Sequence, residues 1–231
     1  MPPSARTRPP LRRVTVLDAA VDLADAEGIE AVSMRRLADR LGVVPMALYK
    51  HVADKEDLLD GMVDRVVGTF RRSDPDLGAA SWPAAVRTAV LSAREIVQQH
   101  PWARRVIETR THRTPAVLAH MEAVTSLFLA GGLSPDLTHH VMHVLGNRIW
   151  GFSPELFNDP SGRPPSDRPR TSGELDPADF PGILTIAADA AARRPGATGC
   201  DEEFEFRFAL DLILGAVERL QADGWSSTAP A

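Results

Sequence analysis

The stretch from Ser33 to Lys55, SMRRLADRLGVVPMALYKHVADK, constrains the fold of this chain more than any other part of the sequence. Its first apolar residues recur at i, i+3, i+4 and i+7, which indicates one face of a short helix that Ser33 would cap. Gly42 follows at a turn that needs a positive φ, and Pro45 stands where a second helix can begin. The stretch therefore predicts a helix-turn-helix, in which the second helix fits the major groove of DNA.

The exposed side of the predicted second helix and its flanks carry the candidate DNA contacts. Arg35 can hold a guanine edge with two hydrogen bonds, unless it is only a solvated surface arginine. Tyr49 and His51 would contact phosphates or, as the alternative, be partly buried in the small core, and a base contact is a further alternative for Tyr49. Met46 offers only apolar contact, for instance to thymine methyl groups, so the base sequence that is read stays open. The predicted DNA-binding residues are Ser33, Arg35, Pro45, Met46, Ala47, Tyr49, Lys50, His51 and Lys55.

The same residues carry a family resemblance. The run LADRLGVVPMALYKHVADKEDLLD resembles the signature of TetR-type one-component transcriptional regulators, and the match covers roughly Val14 to Phe70. Its specific features are an alanine inside the first helix of the motif, the turn glycine, the LY-x-H sequence and the lysine that opens the next helix. The resemblance implies an all-α homodimer closed by a four-helix bundle, with an N-terminal DNA-binding domain and a C-terminal helical domain.

The net charge of this 231-residue chain is −5, which provides no general attraction to nucleic acid. DNA binding must then come from a local patch, and the stretch at 33–55 holds three arginines and two lysines against two aspartates. A single cysteine, Cys200, excludes an internal disulfide and is typical of a reducing cytosol, so we expect a cytoplasmic protein. We expect neither a signal peptide nor a membrane span, because no apolar run is long enough.

The predicted regions are a disordered basic arm at 1–13, a helix-turn-helix domain at 14–70 and a helical regulatory and dimerisation domain at 81–224. The arm would touch phosphates or a minor groove, or would simply be a frayed terminus. Thr15 and Asp18 resemble a capping box at the start of a first helix, and Asp54 would cap a long fourth helix. A turn-rich break at 71–80 would separate the two domains.

Beyond position 80 the sequence predicts helices and one long loop. The helices are expected at about 81–99, 102–109, 115–130, 134–152, 179–194 and 201–222. The segment 158–176 has no periodicity and should be a mobile loop. The last helix is apolar on nearly every side, so one face should pack on its own domain and another on a second copy. The predicted dimer contacts are Phe206, Leu210, Ile213 and Val217.

The C-terminal domain is expected to hold an unknown small-molecule effector in a cavity among its helices. The candidate ligand contacts, each of which ordinary core packing explains equally well, are Trp102, Met121, Met142 and Trp150. An arginine cluster around the short helix has an acidic ligand as one explanation and a solvated face as the simpler one. It consists of Arg104, Arg105, Arg110 and Arg113.

We expect no metal, no cofactor and no catalysis. His139 and His143 lie four apart on one helix face, but no carboxylate or cysteine joins them at a metal-binding spacing. No Walker loop, Rossmann fingerprint, zinc-protease motif or nucleophile elbow occurs in the sequence. The leading hypothesis is a ligand-responsive homodimeric repressor that binds a pseudo-palindromic double-stranded operator. The rivals are a DNA-binding regulator without an effector and a helical enzyme that binds a small molecule.

Overall fold

The structure, a computed structural model, describes residues 10–70, 81–110, 112–150, 181–193 and 201–228. Side chains are described in these ranges except at 147–150, 183, 187, 190 and 191. Most of the predicted basic arm, the predicted break at 71–80, the predicted loop at 158–176 and Cys200 lie outside the described residues.

The described part of the chain is helical and contains no strand, so the predicted all-α fold is confirmed. The helices are α1 (Arg13–Glu27), α2 (Met34–Leu41), α3 (Pro45–Leu48), α4 (Lys55–Val67), α5 (Trp82–Gln99), α6 (Pro101–Thr109), α7 (Pro115–Ala130), α8 (Pro135–Trp150), α9 (Pro181–Arg193) and α10 (Glu202–Ala222). A 3-10 turn at Ile29–Ala31 joins α1 to α2. No helix among the described residues is long and apolar enough to cross a membrane.

Two predicted helix caps are confirmed in the helix-turn-helix region. The Ser33 hydroxyl accepts a hydrogen bond from the Arg36 N–H at 3.3 Å and begins α2. The Asp54 carboxylate accepts one from the Asp57 N–H at 2.8 Å and begins α4. Each bond satisfies a backbone donor that a helix start leaves without a partner, so these two side chains fix where the helices begin.

The turn between α2 and α3 has the geometry that the sequence predicts. Gly42 has φ 61° in the left-handed region, where glycine lacks the steric penalty of other residues. Pro45 is the first residue of α3. The helix ends at Leu48 and continues as a turn in which the Val52 N–H still donates to the Leu48 carbonyl at 3.0 Å. Leu48 and Val52 are buried, which orients the other face of α3 outward.

The predicted capping box of the first helix is wrong. α1 begins at Arg13, with Arg12 at the N-cap position in place of Thr15 and no side-chain capping bond. Thr15 therefore lies inside the first turn. Asp18 instead accepts a hydrogen bond from Arg65 Nε of α4 at 2.7 Å, so a contact between helices replaces the local cap.

One apolar core runs through α1, α2, α4, α6 and the start of α7. Val16, Leu37 and Met62 are fully buried on the N-terminal side, and Ala103 and Val106 of α6 join the same cluster. The core is therefore continuous across the two predicted domains. Their division at 71–80 stays a prediction, since that segment is outside the described residues.

The chain forms two compact units, one of Met1–Gly151 with Leu214–Ala231 and the other of Phe152–Ile213. In the first unit α4 packs against α1, α5, α6 and α7. This arrangement makes α4 the helix through which the helix-turn-helix meets the later helices.

The chain after α10 binds back onto the first turn of α8. The Asp136 carboxylate accepts hydrogen bonds from the Ser227 N–H at 2.7 Å, the Ser227 hydroxyl at 2.8 Å and the Ser226 hydroxyl at 3.2 Å. The Ser227 bonds hold the pKa of Asp136 below its usual value. These contacts fasten the end of α10 to α8 within the first unit.

Candidate nucleic-acid interface and cavity

The outer face of the helix-turn-helix exposes large apolar side chains. Met46 is 71% exposed, Val44 68% and Tyr49 46%. Val44 is not among the DNA contacts predicted from the sequence, although its position next to the apolar Val43 could have indicated it. The backbone at Val44 is extended, so Val43 and Val44 point to opposite sides, and Val43 packs against the core.

Two of the five cations in this region are paired within the protein. Arg36 of α2 binds Glu27 at 2.5 Å, and Arg40 lies 4.0 Å from Asp22. Both acidic partners belong to α1. These two arginines therefore connect α2 to α1. Because their positive charges are partly neutralised by the acidic partners, they would attract a phosphate less strongly.

The other three cations face solvent. Arg35, Lys50 and Lys55 are exposed, and none of them makes an ion pair with any described residue. Lys55 is also the first residue of α4, where the free N–H groups of the helix add positive potential. The exposed apolar face of α3 is thus flanked by three cations available to an anionic surface.

The remaining predicted contacts surround that face. Ser33 and Pro45 are exposed, while Ala47 and His51 are half-buried, as the alternative interpretation of His51 anticipated. Ser33 already uses its hydroxyl as a cap, which leaves it able to donate its proton outward. Their binding to DNA stays a prediction.

Arg13 is not part of a free basic arm, contrary to expectation. It is the first residue of α1, and its Nη2 and Nη1 donate to the two carboxylate oxygens of Asp57 at 2.6 Å and 2.9 Å. Arg13 Nη1 also donates to the His51 carbonyl at 2.7 Å, and Asp57 accepts from the Ala53 N–H at 2.8 Å. The Arg13 hydrogen bond lowers the pKa of Asp57. These bonds fix the segment that follows α3 against α1 and α4.

An acidic stripe on α4 is held by the connection between α6 and α7. Glu56 and Asp60 bind Arg110 Nη1 at 2.6 Å and 3.4 Å. One turn further, Asp64 accepts a hydrogen bond from the Ala116 N–H at 3.0 Å. His112 Nε2 lies 3.0 Å from Asp60 as well. Glu56, Asp60 and Asp64 are spaced i, i+4 and i+8, so they lie on one face of α4. Their bonds connect three turns of α4 to the short segment 110–116.

That segment also borders a cavity of about 650 Å³ in the first unit, within the size range of small-molecule sites. Its apolar wall is formed by Val117, Met121, Val124, Leu129, Met142 and Leu145, and α4 contributes Val63. Its polar lining includes Glu108, Arg110, Arg113, Thr114, Thr138 and four histidines. Met121 and Met142, two of the predicted ligand contacts, line this cavity.

Trp102, another predicted ligand contact, is not among the described residues that line the cavity. Its ring is buried, and its indole N–H donates to Asp25 of α1 at 2.6 Å. His100 Nδ1 approaches the same carboxylate at 2.8 Å. Trp102 therefore joins α6 to α1, because a buried indole N–H needs an acceptor. The Trp150 side chain lies outside the described residues.

His139 and His143 line the cavity on one face of α8, with ring centroids 4.7 Å apart. His140, on the outer side, packs edge-on against Trp225 and lies 3.6 Å from Asp136. Among the described residues there is no group of three or more side chains that could hold a metal ion.

The predicted dimer contacts on α10 need correction. Phe206, Leu210 and Val217 are buried within the single chain, and Ile213 is half-buried. The exposed apolar side chains of the same helix are Phe204, Phe208 and Leu212, each more than half exposed. Their i, i+4, i+8 spacing places them on one stripe, and the Phe204 and Phe208 rings are stacked.

Two family models match the chain. The model described as bacterial regulatory proteins, tetR family, matches residues 16–62, and the one described as tetracyclin repressor-like, C-terminal domain, matches residues 74–220. The curated HTH-type transcriptional repressor DrrR1 of Streptomyces coeruleorubidus is 32% identical over 99% of this chain and 85% of its own length. The chain therefore belongs to the TetR family, and it is a DNA-binding transcriptional repressor.

Solved structures share the fold. ActR of Streptomyces coelicolor in complex with actinorhodin has a TM-score of 0.72 at 22% identity, covering 94% of this chain and 100% of that chain. BioQ with its double-stranded DNA operator has a TM-score of 0.58 at 19% identity, covering 90% and 99%. At these identities the likeness is one of fold alone.

Proposed function

We propose that two copies of this chain bind a pseudo-palindromic operator through α3 and its flanks, and that a small molecule in the cavity releases them. The observation that carries this proposal is the position of α4 between the two sites. Lys55 opens α4 beside the exposed helix, and Val63 of the same helix lines the cavity. A ligand that alters how the cavity wall holds α4 would therefore move α3.

The connection between α6 and α7 would transmit the change. Arg110 lines the cavity and also binds Glu56 and Asp60 on α4. A ligand that bound Arg110 differently in two positions of α4 would favour one of them. A difference of about 1–3 kcal/mol changes operator affinity by a factor of about five to 150.

The difference between paired and unpaired cations in the helix-turn-helix supports the proposed DNA contacts. Arg35, Lys50 and Lys55 make no ion pair with any residue of the described ranges, whereas Arg36 and Arg40 bind α1. Lys50 and Lys55 would position the chain on phosphates, Arg35 would read a guanine, and the apolar face of α3 would contact thymine methyl groups. In the BioQ complex a protein of this fold is bound to its operator.

The exposed stripe of α10 supports a dimer. A stripe of three large apolar side chains on one helix is a surface that a second copy would cover. To read two half-sites one turn of DNA apart, such a dimer would need its two copies of α3 about 34–36 Å apart. This spacing requires an operator with matching half-sites.

A cytosolic regulator with an effector is favoured over the rival functions. ActR, which shares the fold, was crystallised with actinorhodin, and the cavity described above has the size that a small molecule needs. A regulator without an effector leaves the cavity unexplained, and an enzyme leaves the exposed helix α3 unexplained.

The test begins with selection of bound duplexes from a random library, followed by anisotropy titrations. We expect one enriched pseudo-palindrome that binds two chains. Arg35→Ala should weaken its binding by about 1–3 kcal/mol and relax one base position. Arg36→Ala, which changes a paired arginine on the same helix, is the control and should leave the base preference intact. A compound panel would then identify a molecule that releases the duplex. Absence of an enriched sequence, or insensitivity to every cavity-binding compound, would contradict the proposal.

A further inference from the structure

Three buried side-chain polar atoms in the described part of the protein have no hydrogen-bond partner, and all three belong to residues that line the cavity. They are Arg110 Nε, Thr114 Oγ1 and Thr138 Oγ1. Buried polar groups are nearly always paired, because losing water without gaining a partner is costly. Their concentration in one cavity indicates where a ligand's polar atoms would lie.

Arg110 restricts which kind of polar atom the ligand can place beside it. Its side chain is only 10% exposed, and Nη1 is bound by the two carboxylates of α4. The buried Nε–H has no hydrogen-bond partner among the described residues, and a guanidinium N–H can only donate. The ligand must therefore present a hydrogen-bond acceptor at this end of the cavity. Thr114 is the N-cap residue of α7, four residues further on, and its buried hydroxyl also has no partner and can donate.

The charge of the lining favours an anionic acceptor. Arg113 lines the cavity and makes no ion pair with any described residue. The one carboxylate among the described lining residues is Glu108, which accepts a hydrogen bond from Arg104 at 2.9 Å. Arg113 is therefore the cation of the lining whose charge no described carboxylate offsets, because Arg110 is paired with Glu56 and Asp60. Charge-assisted hydrogen bonds are stronger than neutral ones, so an anionic acceptor would be preferred here.

The remainder of the wall suits an apolar body. Val117, Val124 and Leu145 are buried aliphatic residues. Met121 and Met142 add flexible thioethers, which adapt to the faces and edges of aromatic rings. Thr138 contributes a polar group from α8, a different element from the segment that carries the two arginines.

We propose that the effector is a largely apolar organic acid. Its anionic group accepts hydrogen bonds from Arg110, Arg113 and Thr114, and a second polar group of the acid binds Thr138. This inference rests on the ligand-responsive function proposed above. It adds the chemical class of the ligand and the side chains that select it.

The test compares two fluorescent probes that differ only in the acid group. Anilinonaphthalene sulfonate is anionic, and N-phenylnaphthylamine is the same molecule without the sulfonate. We expect the wild-type protein to bind the anionic probe at least about tenfold more tightly, as one strong charge-assisted bond predicts. Equal affinities for the two probes would overturn the proposal.

Substitutions in the cavity lining test which side chains cause the preference for the anionic probe. Arg113→Gln and Thr114→Val should each reduce the preference for the anionic probe several-fold while leaving affinity for the neutral probe unchanged. Arg105→Gln, which changes a surface arginine paired with Glu30, is the matched control and should have no effect. A preference that survives both cavity substitutions would contradict the assignment.

A cavity-filling variant excludes binding at the exposed stripe of α10. A Cβ atom added at Gly146 would meet no atom within 4 Å, and Gly146 lines the cavity, so Gly146→Phe fits without a clash at Cβ. It should abolish binding of the anionic probe. Binding that persists in this variant would place the acid elsewhere and overturn the proposal.

The stability of the free protein gives a second readout. Thr138→Val removes a buried hydroxyl that has no partner and keeps the shape of the side chain, so the midpoint of thermal unfolding should stay the same or rise. A fall in that midpoint would assign the hydroxyl a structural role and contradict its use for a ligand.

Operator binding, measured in parallel, separates this proposal from the proposed function. Operator release by neutral compounds alone would overturn the acid class and leave the ligand-responsive regulator intact. A probe preference that follows the variants, without any operator release, would support the acid site and contradict the proposed regulation.

Discussion

Arg13 at the start of α1 and Asp57 in the first turn of α4 form a two-point ion pair at 2.6 Å and 2.9 Å, although they are 44 residues apart in sequence. The same arginine holds the His51 carbonyl, and the same aspartate holds the Ala53 N–H. The pair therefore does more than join two helices. It determines where the chain goes as it leaves the exposed helix α3.

Replacing Arg13 should loosen the end of α3. Arg13→Gln is expected to lower the free energy of unfolding by about 1 kcal/mol, a modest value because both side chains are partly exposed. Operator affinity should fall several-fold, measured by anisotropy. Arg65→Gln is the control, since Arg65 pairs α4 with Asp18 of α1 without touching the segment after α3. Equal losses of affinity in the two variants would contradict the positioning role of Arg13.

The same pair predicts a dependence of stability on pH. The pKa of Asp57 is below its ordinary value of 3.8, chiefly because of the Arg13 hydrogen bond. A lowered folded-state pKa contributes stability well above pH 3.8, and that contribution is lost as the pH falls through the lowered value. Asp57→Asn should therefore be less stable than the wild type at pH 7 and approach it in acid. Urea unfolding across this range measures the difference, and a constant gap would exclude the linkage.

Lys55 should contribute to binding of every duplex alike. Lys55→Ala is expected to weaken operator and random DNA equally and to reduce the slope of log affinity against log salt by about one. Lys55 faces solvent without an ion pair among the described residues, whereas Arg36 is paired with Glu27. Arg36→Ala should therefore change the slope less. Anisotropy titrations at several salt concentrations would show whether the paired arginine contributes as much as the lysine.

The corrected stripe on α10 predicts which substitutions dissociate a dimer. Phe208→Glu places a charge in the exposed stripe and should yield monomers with unchanged helix content. Leu118→Glu on α7 is the matched control, because Leu118 and Phe208 are equally exposed, at 53%. Light scattering measures the molar mass of each variant. A monomeric Leu118→Glu protein beside a dimeric Phe208→Glu protein would place the interface elsewhere.

Trp102 should matter for stability and not for ligand binding. Trp102→Phe removes the indole N–H that Asp25 accepts at 2.6 Å, and a hydrogen bond to a charged group contributes about 1.5–3 kcal/mol. Trp82→Phe, which loses a bond to the neutral Gln221 side chain, should cost less. Urea unfolding compares the two losses. A marked effect of Trp102→Phe on probe affinity in the cavity would restore Trp102 as a ligand contact.

Local sequence patterns predicted the local structure well. Ser33 and Asp54 cap helices because their short polar side chains reach the N–H groups three residues ahead, and Gly42 marks the one turn in the motif with a positive φ. These features depend on neighbours within a few residues, which a sequence displays directly.

Contacts between distant residues were not predictable in this way. Asp18 looked like a cap and proved to be the partner of Arg65, and Trp102 looked like a ligand contact and proved to bind Asp25. On α10 the apolar residues were recognised, but their buried and exposed sides were exchanged. A helix that is apolar all round has too weak a periodicity to show which side its own chain covers.

The measurement that decides most directly between ligand-controlled and constitutive DNA binding is a pair of titrations on one protein. The affinity for the selected operator is measured with and without a cavity-binding compound, and the affinity for that compound is measured with and without the operator. Because the coupling of two binding sites is reciprocal, we expect both affinities to fall by the same factor, between about five and 150. Operator affinity that is unchanged when the cavity is saturated would contradict ligand control.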